Sequence, residues 1–255
     1  MGILDIFGNR ESREQASLKK LGQKITQKWG PAENRQKAIE QLGELGTEAA
    51  LEVLCLRFTI RAEVGIQDDE EKEQARAILV AAGPRALEPV RKFLASQESG
   101  VAWGLRVLAS LATPEELVGT VHGLLEKLGR EYTRDPEKKL VLLSWLRENP
   151  DLATVVPAGG PARDLAVLPL LEDFVDDVRI GAARAIAVAP PTDASREALI
   201  ALLLRDRDNA RVRGEVLQAL HDLGADVKGH RPDVEALLVE PWFLDREGRV
   251  KRRGE

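Results

Sequence analysis

Val178-Arg179-Ile-Gly-Ala-Ala-Arg-Ala-Ile186 and Val212-Arg213-Gly-Glu-Val-Leu-Gln-Ala-Leu220 begin 34 positions apart and carry valine, arginine and then small or apolar residues in the same order. Looser copies precede them. One runs from Ala38 through Leu42, Leu45 and Gly46 to Ala49, Leu51 and Leu54, and a second from Ala75 and Leu79 through Gly83-Pro84 to Ala86, Leu87 and Val90. A third starts at Val101-Ala-Trp103, reaches Leu108 and Leu111, turns at Thr113-Pro114 and continues through Leu117, Val121, Leu124, Leu125 and Leu128. Leu140, Leu143, Trp145 and Leu146 supply a weaker fourth, and residues 198–204 follow the turn at Pro190-Pro191 as the second helix of the fifth. Each copy has more apolar surface than one partner helix can cover, so it is buried only by stacking on its neighbours, and about six helix pairs in a row are expected.

The local punctuation is helical. Thr113-Pro114-Glu115-Glu116 offers an N-cap hydroxyl, a proline at the first helical position and a carboxylate at the third. Asp135-Pro136 opens another helix in the same manner. Gly46, Gly83 and Gly224 each end an apolar-periodic run, where a residue tolerant of positive φ can close a helix. Residues 11–28, with Leu18, Leu21 and Ile25 at helical spacing, read as a terminal capping helix, and residues 1–7 as a short helix folded back on the first pair. Gly65-Ile-Gln-Asp68-Asp69-Glu70-Glu71 reads as a loop leading into an acid-rich first turn. No segment alternates apolar and polar residues between turn signals, so no strand is expected and the chain is read as all-α.

Asp177-Val178-Arg179 with Ala182, Ala183 and Ile186, Asn209 with Val212-Arg213, Leu217 and Leu220, and Ala38 with Leu42-Gly43 and Leu45-Gly46 resemble the HEAT repeats, especially the short bacterial form named after phycobilisome lyase. The likeness covers residues 31–240. It implies a right-handed α-α superhelix, an α-solenoid in which the second helix of each pair lines a concave face. The spacing stretches between the fourth and fifth copies, and the fourth lacks a Val-Arg pair. There Pro150, Pro157, Pro161, Gly159 and Gly160 interrupt any continuous helix, so residues 150–163 are read as a joint between a first lobe, 31–149, and a second, 164–240. A cap over 1–30 and a basic tail over 241–255 complete the division.

Composition bounds the chemistry. Of 255 residues, 37 are Lys or Arg and 42 Asp or Glu, a formal net charge of −5 that argues against a protein whose main task is coating phosphate backbones. Cys55 is the sole cysteine, which excludes an intrachain disulfide and a multi-cysteine metal cluster. The longest apolar runs, residues 165–171 and 198–204, fall far below the ~20 residues that cross a bilayer. The start lacks a basic leader with a long apolar segment, so a reducing, cytoplasmic setting is expected.

No glycine-rich phosphate loop, nucleophile elbow or His-Glu-x-x-His occurs, and the paired His-Glu motifs of the HEAT-repeat deoxyhypusine hydroxylases are missing. His122, His221 and His230 are expected at exposed helix ends, and no metal or cofactor is expected. Cys55 reads as a core residue, Trp103 and Trp145 as packing residues, and Asp206-Arg-Asp208-Asn209 as a turn between helices.

Basic residues on the expected second helices carry the binding hypothesis. Arg57 and Arg61 stand one turn apart, Arg91 and Lys92 follow the next copy's apolar face, Lys127 and Arg130 close the third, and Arg205 closes the fifth. They are expected to line a concave face that holds a protein or peptide partner. Residues 151–200, with four basic against eight acidic residues, would help steer that partner. A non-enzymatic adaptor or scaffold is the leading expectation. One rival is a HEAT-like enzyme of the phycobilin-lyase or alkylpurine-DNA-glycosylase type. The other is a binder of nucleic acid or an anionic surface through Arg246, Arg249, Lys251, Arg252 and Arg253, a tail that otherwise reads as unstructured.

Overall fold

The computed structural model describes residues 3–129 and 132–254, with side chains from residue 12 onward. It is 69% helix in 13 helices and 3% strand among the described residues, in keeping with the all-α reading. No described helix is long and apolar enough to cross a membrane. The chain divides into two compact units, Met1–Thr113 and Pro114–Glu255.

The first unit holds α1 (Ile3–Ile25), α2 (Ala32–Leu45), α3 (Glu48–Cys55), α4 (Gly65–Ala81), α5 (Leu87–Ser96) and α6 (Val101–Leu111). Helices α2, α4 and α6 pack in succession, α3 packs on α5, and α1 covers α2 and α3. The α2–α3 turn shows how the sequence makes such a pair. Gly46 adopts φ 55°, its N–H bonds the Leu42 carbonyl to end α2, and the next residue, Thr47, accepts the Ala50 N–H at 3.3 Å to start α3. Leu42, Leu51, Leu54 and Cys55 are thereby turned inward and fully buried, each leucine worth roughly 1.5–3 kcal/mol of transfer free energy. Leu18, Leu21 and Ile25 are buried as their spacing requires, whereas residues 3–7, expected as a short helix folded back on the first pair, continue α1 as one helix, and residues 1 and 2 lie outside the described ones. Gly65 already begins α4, so the expected loop is shorter by residues 65–67, and the acid-rich stretch falls in that helix's first turns as expected.

The second unit holds α7 (Pro114–Leu128), α8 (Glu137–Glu148), α9 (Arg163–Val167), α10 (Asp176–Ala187), α11 (Asp193–Arg205), α12 (Ala210–Leu223) and α13 (Arg231–Glu235). Helix α10 packs between α8 and α12, and α11 lies on α12. Helix starts at Pro114 and after Asp135 match the sequence, the Asp135 carboxylate accepting the Glu137 N–H at 3.0 Å. Asn209 caps α12 and Gly224, at φ 61°, closes it.

Two features differ from the sequence reading. The compact units divide after Thr113, and residues 150–163 lie inside the second unit, where residues 157–161 form a strap across α7. The Ala158 N–H donates to the Glu115 carbonyl at 2.8 Å, and backbone meets backbone at two glycines. A Cβ on Gly119 would stand 2.1 Å from the Ala158 oxygen, and one on Gly160 2.4 Å from the Gly119 oxygen. Prolines and glycines do break the helix there, but they also permit close apposition to another one.

The second difference is at the end of the chain. β1 (Trp242–Leu244) and β2 (Val250–Arg252) form an antiparallel hairpin in register Trp242↔Arg252, Phe243↔Lys251 and Leu244↔Val250. Val250 is fully buried, and β2 packs on α12. Three-residue strands are too short for alternation to register in a sequence, so neither was expected.

Candidate functional site

On the second-helix side of the first unit, α1, α3 and α5 enclose a groove of about 370 Å3. Residues 49, 52, 53 and 56 share one face by helical spacing, which sets Val53 and Leu56 in the floor with Leu18 of α1 and Phe93 of α5. Lys19 and Glu52 rim it. Lys92 stands beside Glu52 at 3.6 Å, with both side chains about half exposed. Cys55, one residue before Leu56, faces the core. Burial, with Glu52 second, pushes its thiol up to about 12, so it is protonated and unreactive at neutral pH.

The seven basic residues singled out from the sequence do not share one exposed face. Arg57 is fully buried. Helix α3 stops at Cys55 and Leu56–Thr59 tighten into a 3-10 turn, in which Arg57 lies inward. The spacing that placed it beside Arg61 assumed continuous α-helix, and only Arg61 is exposed. Arg91 is half-buried on α5, and Lys92 is exposed. In the second unit Lys127 is exposed in the last turn of α7, and Arg130 lies outside the described residues. Arg205, also exposed, donates to the Leu171 carbonyl at 2.7 Å and pairs with Asp206 at 3.0 Å.

Arg57 belongs instead to a buried cluster with Arg35, Asp68, Glu71 and Lys72. Glu71 receives Arg35 at 2.8 and 3.0 Å and Arg57 at 2.9 Å. Asp68 receives Arg57 at 2.6 Å, Lys72 at 2.7 Å and the Ala62 N–H at 2.8 Å. Burial alone would raise the Asp68 carboxyl, but the Ala62 N–H, Lys72 and Arg57 together hold it below the ordinary carboxylate value. A signal for the cluster exists in the sequence. Positions 68, 71, 72, 75 and 79 form the inward face of α4, and the first three are charged where the last two are Ala and Leu. Charged residues continuing a core face require buried partners.

The second unit has its own groove, about 390 Å3 between α8 and α10, with Leu140, Leu143, Ile180 and Gly181 in its floor. Its arginines are largely committed, Arg184 gripping Glu215 with two bonds at 2.8 and 2.6 Å and Arg211 pairing with Asp177. His122 corrects another expectation. It is buried within α7, not exposed at a helix end, because it continues the inward spacing of Val118 and Leu125. Its Nδ1 lies 3.0 Å from the Pro161 carbonyl, while Nε2 has no partner. Burial depresses the imidazole pKa and nearby Arg163 adds to this, against the opposing Pro161 bond. Arg163 itself donates to the Ala185 carbonyl at 2.5 Å. His221 and His230 are half-buried, His230 meeting Glu197 at 3.0 Å. Trp103 packs as expected, stacked on Phe58 at 5.8 Å.

Among the described residues no three His, Cys, Asp or Glu side chains are arranged to hold a metal ion. No protein-family model matches the chain, and no curated protein is significantly similar to it.

Proposed function

We propose that the protein is a non-enzymatic adaptor of the HEAT-like kind, a right-handed α-solenoid in the cytoplasm that holds a protein or peptide partner in the α1–α3–α5 groove. The observation that carries this reading is the groove itself. Val53 and Leu56 are partly exposed in its floor beside the buried Leu18 and Phe93, with Lys19, Glu52 and Lys92 at its edge. Apolar floor and charged rim are the composition by which a peptide is gripped and oriented. Packed helices lose little conformational freedom on binding, so more of the contact energy remains as affinity.

Co-purification from the native cell tests it. Val53→Arg with Lys92→Glu should abolish recovery of a specific partner while leaving the helical signal intact, and unchanged recovery would discard the groove. A second reading, binding of an anionic polymer near the chain end, draws on exposed Arg246, Arg249, Arg252 and Arg253 around the hairpin. Arg249→Glu with Arg253→Glu should then remove a salt-sensitive affinity for single-stranded DNA, and the absence of any such affinity in the unaltered protein would end it.

A further inference from the structure

Three large apolar side chains of the first unit stand in solvent, Trp29 and Val64 on two loops and Ile66 in the first turn of α4. Trp29, between α1 and α2, is 70% exposed, and Val64 and Ile66, at the entry to α4, are 52% and 75% exposed. Both loops are held from behind by the buried charge cluster. Arg35 donates through one guanidinium nitrogen to the Gln27 and Gly30 carbonyls at 3.4 and 3.3 Å while its other nitrogens grip Glu71. Arg57, bound to the same Glu71, reaches the Ile60 carbonyl at 3.4 Å, and Asp68 accepts the Ala62 N–H. One set of interior charges therefore fixes the backbone on both sides of Trp29 and just ahead of Val64.

Along the chain, the exposed charged neighbours of the three tips are mostly acidic. Glu33, Glu63, Asp69 and Glu70 are exposed beside them in the chain, against Lys28 and Arg61. Buried charges are a poor source of stability compared with apolar packing, and their best-attested use is to specify one arrangement. Here that arrangement ties down the backbone beside the outward apolar side chains, which is how a binding hot spot is pre-organised.

We propose that Trp29, Val64 and Ile66 form a docking patch for a basic amphipathic segment of a partner protein. Apolar side chains of that segment pack on the three tips, and its Lys or Arg residues face Glu33, Glu63, Asp69 and Glu70. The acidic rim sets the sign of the partner's charge and repels an anionic membrane surface. The patch is distinct from the α1–α3–α5 groove, so either can fail alone.

A random-peptide phage library selected on the full chain tests this. Four versions are compared: the unaltered protein, Trp29→Ser with Ile66→Ser, Glu63→Lys with Asp69→Lys and Glu70→Lys, and the groove variant Val53→Arg. All but Val53 are exposed positions, and circular dichroism checks that each version is folded. Peptides combining Lys or Arg with Leu or Phe should be enriched on the unaltered and Val53→Arg proteins. Recovery should fall about tenfold or more on both patch variants, as loss of a hot-spot residue produces. Enrichment that survives Trp29→Ser with Ile66→Ser, selection of acidic peptides, loss on Val53→Arg alone, or no enrichment on any version would each overturn the patch. Association of the unaltered chain with phosphatidylserine vesicles that depends on Trp29 would replace the peptide with a lipid surface.

Discussion

The first unit buries five charged side chains against one another, whereas the second buries the Lys139–Asp173 pair, with the Arg179–Asp206 pair partly buried beside it, and adds a backbone contact. In the first, Arg35, Arg57, Asp68, Glu71 and Lys72 join α2, the Leu56–Thr59 turn and the start of α4. In the second, Lys139 of α8 meets Asp173, just ahead of α10, at 2.7 Å, and Asp173 also accepts the Val175 N–H at 2.9 Å. Asp68 and Asp173 thus each accept a backbone N–H from the segment just ahead of a helix while taking a buried cation. The second unit adds the strap over α7, where Gly119 and Gly160 let two backbones touch. The two solutions cost different things. Buried charges carry a desolvation penalty that only complete pairing offsets, while glycines carry backbone entropy. The first should therefore be brittle toward loss of one charged partner, and the second toward addition of one carbon.

The largest effect is expected from Arg57→Met. It leaves Asp68 and Glu71 short of a cation in the interior, and about 3–5 kcal/mol should be lost from the first unit in denaturant unfolding, with amide exchange in α4 accelerated. A loss below about 1 kcal/mol would mean that water reaches the cluster, and the contrast with the second unit would disappear. Next comes Gly119→Ala, whose methyl group meets the Ala158 carbonyl. It should cost about 1–3 kcal/mol, with the exchange protection of the Ala158 amide lost and the first unit unaffected.

Smaller effects separate the helix caps. At the start of α11, Thr192 accepts the Ser195 N–H at 3.0 Å and Ser195 returns a bond to the Thr192 N–H at 2.9 Å, a reciprocal box. Thr47 of the first unit makes a single cap bond. Thr192→Ala should cost about 1–2 kcal/mol and Thr47→Ala about 0.5–1 kcal/mol by thermal unfolding; equal losses would remove the distinction.

Acidification gives the finest comparison. His122 has its folded pKa depressed below the ordinary 6.5, so its contribution is complete above that value and is lost as pH falls through 6.5 toward the folded value. Asp68 has its folded pKa below the ordinary 3.8, so its contribution persists from neutrality to that value and is lost only as pH falls toward the folded one. Mild acid should therefore loosen the strap before it touches the charge cluster. Imidazole chemical shifts of His122, followed with amide exchange in both units, check this, and simultaneous loosening would contradict it.

Helix ends were legible because their causes are local. Gly46 and Gly224 close helices through one left-handed residue, and Pro114 and Asp135-Pro136 open them within one turn. The groove helices could be outlined from Leu18, Leu51, Leu54 and Val90, although which basic residues stand beside them could not. Arg57 and Arg61 are alike by local criteria, and His122, though it shares a face with Val118 and Leu125, is of a residue type found both inside and at exposed helix ends.

By itself the sequence determined where helices begin and end and which stripe of each is apolar, because those depend on residues within one or two turns. Only the tertiary structure decided which charges go inside and where the breaker-rich segment rests. Arg57 finds Glu71 14 residues away, Arg35 finds it 36 residues away, and Lys139 finds Asp173 34 residues away. A buried charge is tolerable only once such a distant partner has arrived, so its place is set by packing and not by local pattern.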